Sequence, residues 1–383
     1  MNRPATNKVR DFQLDVPDSV LSDLKARLAH TRFAPRLGPG WSGGVDPDYL
    51  AEFVTCWRDE FDWKATERIV NSLPQKMVRV NGGDVHVIHV RNRGPKDTKP
   101  IPLVLTHGWP SSFFEFLPLI EPLTDPARNG GDPSDVFDVV IPSLPGYGYS
   151  DPLAPGSNEP SHIAALWVDV MDALGYERFG AYGGDVGSHV TNRLGADHGD
   201  RLIGLFTHHP YLHPVIGPDT PLSIAEQRYL EQRSVPDPDH DDGYAAVQTT
   251  RPNSLAAALS DSPAGLAGWI LEKYHDWSDS ELDSAIERST LLNVVTLYWV
   301  TNTIGTSFGP YIDDHATPAL APVTVPAGLT LTPEDIGYPR EFAARTYQDI
   351  RYWNGPEPGG HFLALENPER LVRELRDFYR PLR

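Results

Sequence analysis

Three short segments carry residue types that can do covalent chemistry at a polarised carbon. GGDVG at 183–187 follows the apolar run ERFGAY and precedes SHVTNRLGADH, a helix-compatible stretch. A strand that turns sharply into a helix around small residues pushes its central side chain out over the sheet edge. Here that side chain is Asp185, where a serine more often stands. A carboxylate so placed can attack carbon and form an ester. The same segment also reads as a plain strand–helix turn, because aspartate is a favoured helix N-cap. GGHF at 359–362 supplies His361 on a glycine-rich loop ahead of the final helix, and VPAGLTLTPE supplies Glu334 just past a strand-like run. An acid that orients an imidazole, and an imidazole that takes a proton from water, complete the set in the chain order Asp185, Glu334, His361. Asp335 is adjacent to Glu334 and Asp349 lies nearer His361 in sequence, so both compete for the acid's place. THGWP at 106–110 ends another apolar run, IPLVLT, where backbone amides can hold an oxyanion.

Two other matches to chemical motifs lack the elements that would make them work. GWSGG at 40–44 fits a serine nucleophile elbow, and the overlapping GPGWSG fits a dinucleotide-binding glycine pattern. Both need a strand before and a helix after. Here they fall in a proline-rich break between two helical stretches and read as a loop. The 14 histidines are mostly structural on the same reasoning, with His107, His208 and His209 read as partners of backbone groups at strand ends.

The elements that must position the three segments follow from texture. Residues 15–75 read as helical with one break, the first helix starting near Asp15 and Asp18 as caps and the second running through DYLAEFVTCWRDEFDWKATERIVNSL. QKMVRV and VHVIHV flank Asn81-Gly82-Gly83, a hairpin signal. IPLVLTHG, DVFDVVIP, ERFGAYGG and RLIGLFTHH are short, continuously apolar runs of the kind that become buried parallel strands. Residues 213–317 read as helical, strands return at APVTVPAG and QDIRYWNG, and NPERLVRELRDFY closes as a helix. The expected division is an N-terminal arm over 1–75, an α/β core over 76–212 and 318–383, and a helical insertion over 213–317 that caps the core.

Composition bounds the function. Of 383 residues, 40% are hydrophobic and 22% charged, which supports packed cores and excludes wholesale disorder. The formal charge of −19 repels phosphate backbones and anionic lipid, so nucleic acid and membrane surfaces are excluded as partners. The single cysteine, Cys56, allows no internal disulfide and no cysteine-rich metal site, and fits a reducing compartment. With no signal-like segment and no long apolar run, a cytoplasmic protein without a membrane anchor is expected. The aromatic residues Trp269, Tyr274, Trp277, Tyr298 and Trp299 lie in helical stretches and are expected mostly in the core, with a few lining a pocket.

Taken together, FQLDVPDSVLSDLKARL, the WSGG loop, HGWP, PSLPGYGYSDP, GGDVGS, DSPAGLAGWILEKYHDW, LTPE and PGGHFLALENPE resemble the epoxide hydrolases of the α/β-hydrolase superfamily. The resemblance is to the microsomal and fungal branch with a long N-terminal arm, and it covers the chain almost end to end. It implies an α/β-hydrolase fold, a mostly parallel central sheet flanked by helices with a helical cap. It also implies Asp185 as nucleophile, His361 as base and Glu334 as its acid partner. Two cap tyrosines would hydrogen-bond the epoxide oxygen: Tyr244 in GYAAVQTTRP, and Tyr311 in FGPYIDD, where the local sequence departs more from the family pattern. Backbone amides of Trp109 and Val186 would form the oxyanion hole, with a cis Trp109-Pro110 bond. No cofactor and no metal are implied. The partners would be a small-molecule epoxide, water and a second copy of the chain in a homodimer. A haloalkane or haloacid dehalogenase uses the same aspartyl ester, but typically places a tryptophan after the nucleophile, where this chain has Val186. A catalytically silent binding protein on this fold would have no use for the triad and both tyrosines together.

Overall fold

The computed structural model describes residues 8–94, 98–212, 216, 220–233, 243–313 and 319–383. The hairpin forms where expected. Asn81 and Gly82 both take positive φ (49° and 87°), and they join β2 (Gln75–Val80) to β3 (Gly83–Val90) in antiparallel register. The continuously apolar runs become the centre of one sheet: β4 (Ile101–Thr106), β5 (Phe137–Pro142), β6 (Phe179–Gly183) and β7 (Leu202–Thr207). Every residue of β5 and β6 is buried, as strands covered by helices on both faces must be. Two later strands, β8 (Val323–Thr330) and β9 (Tyr347–Asn354), extend the sheet in parallel.

The described residues form a nine-stranded sheet that begins with a strand the sequence did not announce. β1 (Val9–Asp11) pairs antiparallel with β2, so the arm is not wholly helical. Three residues are too few to show a period. The order is β1-β2-β3-β5-β4-β6-β7-β8-β9. β5 lies on one side of β4 and β6 on the other, so connections leave β4 and β6 in opposite directions and a crevice opens over their carboxyl ends. Thr106 pairs with Gly183, and Gly183 with Thr207. The loops after β4, β6 and β7 therefore start level with one another.

The arm's helices are α1 (Asp18–Ala29), α2 (Pro47–Asp59) and α3 (Trp63–Asn71). The caps differ from expectation. Pro17 precedes α1 with no side-chain cap, and Asp18 is already in its first turn. Asp46 caps α2, with Pro47 supplying the fixed φ that suits a first helical position. Asp62 caps α3, which splits the single helix expected over 48–73 into two. The GWSGG segment is a loop with no strand before it, and its Trp41 ring stacks on His275 at 4.0 Å.

Helices α4 (Leu117–Thr124), α5 (Pro160–Ala173) and α6 (Val186–Asp197) connect the central strands. Between β7 and β8 the described residues form helices and no strand: α7 (Ile224–Arg233), α8 (Gly243–Thr250), α9 (Pro252–Leu259), α10 (Pro263–Trp277), α11 (Leu282–Ala285), α12 (Arg288–Thr301) and α13 (Gly309–Asp313). The division points set at 212/213 and 317/318 border or fall among residues outside the described set. After β8 come α14 (Arg340–Ala343), then β9, α15 (Leu363–Glu366) and α16 (Pro368–Tyr379). α16 buries Leu371, Val372, Leu375, Phe378 and Tyr379 at helical spacing. Its Tyr379 hydroxyl lies 3.0 Å from both the Ala181 and Gly204 carbonyls, which seats the helix on β6 and β7. No helix among the described residues is long and apolar enough to cross a membrane.

Candidate active site

The turn from β6 into α6 is held by close backbone contact. A Cβ at Gly183 would land 2.1 Å from the Gly187 carbonyl oxygen, and one at Gly187 would land 1.9 Å from that of Thr106. Only glycine lets strand, turn and helix approach this closely. Between them Asp185 takes φ 51° and ψ −128°, a conformation that costs a non-glycine residue about 1–3 kcal/mol and persists only where the surroundings impose it. Asp185 occupies the N-cap position of α6, but its side chain makes no cap hydrogen bond. It accepts the Trp109 N–H at Oδ1 instead, at 2.8 Å. The cap reading of this aspartate therefore fails, and the side chain faces the loop after β4.

That loop holds Trp109 across a cis bond to Pro110, as the resemblance implied. His107 is structural: it accepts the Leu144 N–H at Nε2 (3.1 Å), and its Nδ1 lies 3.0 Å from the Gly108 carbonyl. Val186 opens α6, so its N–H is among the first four amides of the helix, which have no partner within it.

The base and the acid come from the loops after β9 and β8. His361 Nε2 lies 3.6 Å from Asp185 Oδ2 and has no hydrogen-bond partner among the described residues. Burial lowers the His361 pKa while the Asp185 charge opposes that shift. A ring nitrogen of His361, a ring nitrogen of His209 and a carboxylate oxygen of Glu334 lie within 4.8 Å of one another. No direct hydrogen bond joins Glu334 and His361 among the described residues. As a residue Glu334 is exposed. Its carboxyl is nevertheless crowded by protein, and desolvation, with Asp335, Glu366, Asp185 and Asp279 nearby, pushes its pKa up to about 8. The two competing aspartates are engaged elsewhere. Asp335 accepts from the Thr332 backbone N–H at 3.0 Å as the closing half of a capping box, and Asp349 is ion-paired with Arg351 at 2.8 Å.

Facing this set is an aromatic wall contributed largely by the helices between β7 and β8. The Tyr244 ring stacks on Trp109 at 5.4 Å and 8°, and Tyr311 meets the same indole edge-on at 5.8 Å. The two tyrosine rings are 5.9 Å apart. Burial, then the Asp185 charge and Tyr244, raise the Tyr311 pKa well above its usual value, so this phenol keeps its proton at neutral pH. Tyr298 is not part of the wall, because its hydroxyl donates to the Ser111 carbonyl at 3.0 Å. Trp277, one of the helical aromatics, lies 4.7 Å from the His361 ring.

Two residues of this neighbourhood were not singled out from the sequence. Glu115 is buried and lines a narrow cleft shared with Ser111, Asp185 and His361. A carboxylate in the middle of the apolar run SSFFEFLPLI was the signal. Lys273 is fully buried with its ammonium 4.8 Å from the centre of the Tyr244 ring, a cation on an aromatic face. His209 was read as a backbone partner, and it is one: it accepts the Asp185 N–H at Nδ1 (2.7 Å).

A mostly parallel sheet whose strand order reverses at β4, with an elbow at its centre and a late histidine loop, defines an α/β-hydrolase fold, and residues 101–236 match the family described as "alpha/beta hydrolase fold". Residues 9–116 match the family described as "Epoxide hydrolase N terminus". A relative from Stigmatella aurantiaca (strain DW4/3-1), provisionally named an epoxide hydrolase, is 39% identical over 381 residues, covering 98% of this chain and 86% of its own length. The juvenile hormone epoxide hydrolase of the silkworm Bombyx mori superposes with a TM-score of 0.84 at 26% identity, covering 98% of this chain and 94% of that one. The Aspergillus niger epoxide hydrolase superposes with a TM-score of 0.81 at 29% identity, with 98% and 96% covered. The chain belongs to the epoxide hydrolase family.

Proposed function

We propose that this enzyme opens an epoxide to a vicinal diol in two half-reactions at Asp185. The division of labour is an arm over 1–75, a core over 76–212 and 318–383 that carries the triad, and a cap over 213–317 that carries the tyrosines. The observation that carries the reading is the setting of the Asp185 carboxylate, with Oδ1 on the Trp109 amide and Oδ2 facing His361 Nε2. An oxygen held by an amide suits the carbonyl of the coming ester, which leaves Oδ2 to attack. It adds to one epoxide carbon, the carbon–oxygen bond breaks, and the electron pair stays on the departing oxygen. Tyr244 and Tyr311 donate hydrogen bonds to that oxygen, and one of them passes it a proton. The result is an aspartyl ester of a hydroxylated carbon chain.

In the second half-reaction His361 takes a proton from water, and the hydroxide adds to the ester carbonyl. The amides of Trp109 and Val186 hold the oxyanion. Its collapse releases the diol oxygen, which recovers a proton from His361, and the proton left on the regenerated Asp185 carboxyl returns through water to the tyrosinate. Nε2 faces Asp185, so Nδ1 is the nitrogen left for Glu334 to orient. Neither step calls for a cofactor. A dehalogenase reading gains nothing from Val186 beside the nucleophile, whereas two phenol donors suit an alkoxide.

A styrene-oxide probe tests this. With excess enzyme in oxygen-18 water, the first diol should carry unlabelled oxygen from Asp185. His361→Gln should accumulate an adduct equal to the epoxide's mass on Asp185. Labelled diol on the first turnover, with no adduct, would reduce Asp185 to a general base.

A further inference from the structure

The two adjacent histidines at the end of β7 touch opposite sides of the site. His208 Nε2 lies 2.9 Å from the His361 carbonyl, and the Tyr182 hydroxyl lies 2.8 Å from His208 Nδ1. A carbonyl can only accept, so His208 carries its proton on Nε2 and takes the Tyr182 hydrogen bond at Nδ1. His209 meets the other side. Its backbone is pinned by its own N–H to Thr207 Oγ1 at 3.1 Å, and Thr207 Oγ1 in turn donates to the Gly183 carbonyl at 2.8 Å. Its Nδ1 accepts the Asp185 N–H at 2.7 Å, so that nitrogen is unprotonated and Nε2 carries the proton. Nε2 is buried and has no hydrogen-bond partner among the described residues. The ring sits 4.6 Å from that of His361, in the cluster that includes the Glu334 carboxylate.

Resting on the proposed roles of Asp185, Glu334 and His361, we propose that His209 is a positioning residue that serves both half-reactions separately. Its Nδ1 holds the elbow by its backbone. Its Nε2–H supplies the donor that keeps Glu334 ionised and turned toward His361 during ester hydrolysis. The need for such a donor is plain from what surrounds Glu334. Asp335 on its own turn, Asp185 on the elbow, Glu366 after β9 and Asp279 after α10 are all acidic, and all favour its neutral form. Among the described residues, ring nitrogens of His361 and His209 lie within 4.8 Å of its carboxylate. His209 itself stays neutral, since burial and the neighbouring His208, His361 and His189 hold its pKa well below the usual value. A neutral donor can steady a carboxylate without competing for the proton that His361 must move.

The two ring nitrogens can be removed one at a time. His209→Asn keeps an acceptor near the Nδ1 position and loses the reach of Nε2. His209→Gln keeps an amide donor near Nε2. With a styrene-oxide probe in rapid-mixing experiments, His209→Asn should form the ester within about twofold of the wild-type rate and hydrolyse it about tenfold more slowly. The acidic limb of its hydrolysis rate should move to higher pH, because a Glu334 without its donor takes up a proton more readily. His209→Gln should restore hydrolysis toward wild type. In a Glu334→Gln background, His209→Asn should add no further slowing. Wild-type ester hydrolysis and an unmoved acidic limb in His209→Asn would overturn the inference, as would equal slowing of both steps in both variants. If His209→Asn does not fold, the rate and pH limb of His209→Gln against Glu334→Gln decide the matter. Failure of His361→Gln to trap an ester would instead overturn the underlying reading of the site.

Discussion

The elbow and the base side of this site are built by different means. At the elbow every group is fixed: backbone contacts leave room only for glycine at 183 and 187, the Asp185 N–H is bonded to His209, and Oδ1 is bonded to Trp109. On the base side the His361 backbone is tied by His208, but its Nε2 stands 3.6 Å from Asp185 without a hydrogen bond, and Glu334 stands close without one either. A nucleophile must wait in one place for substrate. A base must exchange partners, first a carboxylate, then water, then the departing diol. The contrast suggests that ester formation runs on a preassembled half-site and that ester hydrolysis runs on groups that complete their contacts after the ester forms.

Mutations can break this contrast in order of effect. Asp185→Ala should cost about 10⁴-fold or more in turnover with no trapped ester, because the proposed ester then has no carboxylate to form on. Tyr244→Phe or Tyr311→Phe should each cost roughly 2–4 kcal/mol in the ester-forming barrier alone, read as the rate of single-turnover alkylation. Both changes act on the preassembled half. If either tyrosine variant slowed only hydrolysis, the wall would belong to the other half. Glu334→Gln should slow hydrolysis by about 10- to 100-fold while leaving alkylation nearly unchanged. Asp335→Asn is the control: it should loosen the turn at Thr332 without this selective loss. Loss of hydrolysis in Asp335→Asn, with normal turnover in Glu334→Gln, would move the acid one residue along.

The same contrast explains what was legible in the sequence. The elbow is local, with strand, turn and helix inside about twenty residues, and the demands on it are steric, so GGDVG and its apolar flanks announced it. The parallel strands were equally plain because double-sided burial makes them continuously apolar. The base side depends on distant strands ending level with one another. Chain order pointed to Glu334 and His361, but the choice among Glu334, Asp335 and Asp349 turned on which carboxylates cap a turn or pair with an arginine. β1 was missed because its three residues owe their conformation to β2, some 65 residues away along the chain. The Asp62 cap was missed because the apolar period runs across it. His209 was read as a backbone partner, and its Nδ1 is one.

The smallest effect on catalysis, and the sharpest on pH, is expected at Glu115, beneath the fixed half. This residue is 4% exposed, on a short turn of 3₁₀ helix over Phe113–Phe116. Burial, with the Asp185 charge adding to it and the Ser111 hydroxyl opposing it, pushes its pKa from 4.5 up to about 8. The sign follows from proton counting. Below pH 4.5 both folded and unfolded chains hold this proton. Between 4.5 and about 8 the folded chain keeps a proton that the unfolded chain has lost, so stability falls as pH rises through that window and levels off above it. Glu115→Gln keeps the shape and cannot ionise. Its stability relative to wild type should therefore be flat below pH 4.5, grow steadily toward pH 8 and then level off. The total gain should be on the order of a few kcal/mol, measured by urea unfolding across that range. An offset for Glu115→Gln that does not change with pH would mean that Glu115 is ionised in the folded chain, and the fixed half would then hold two charges rather than one.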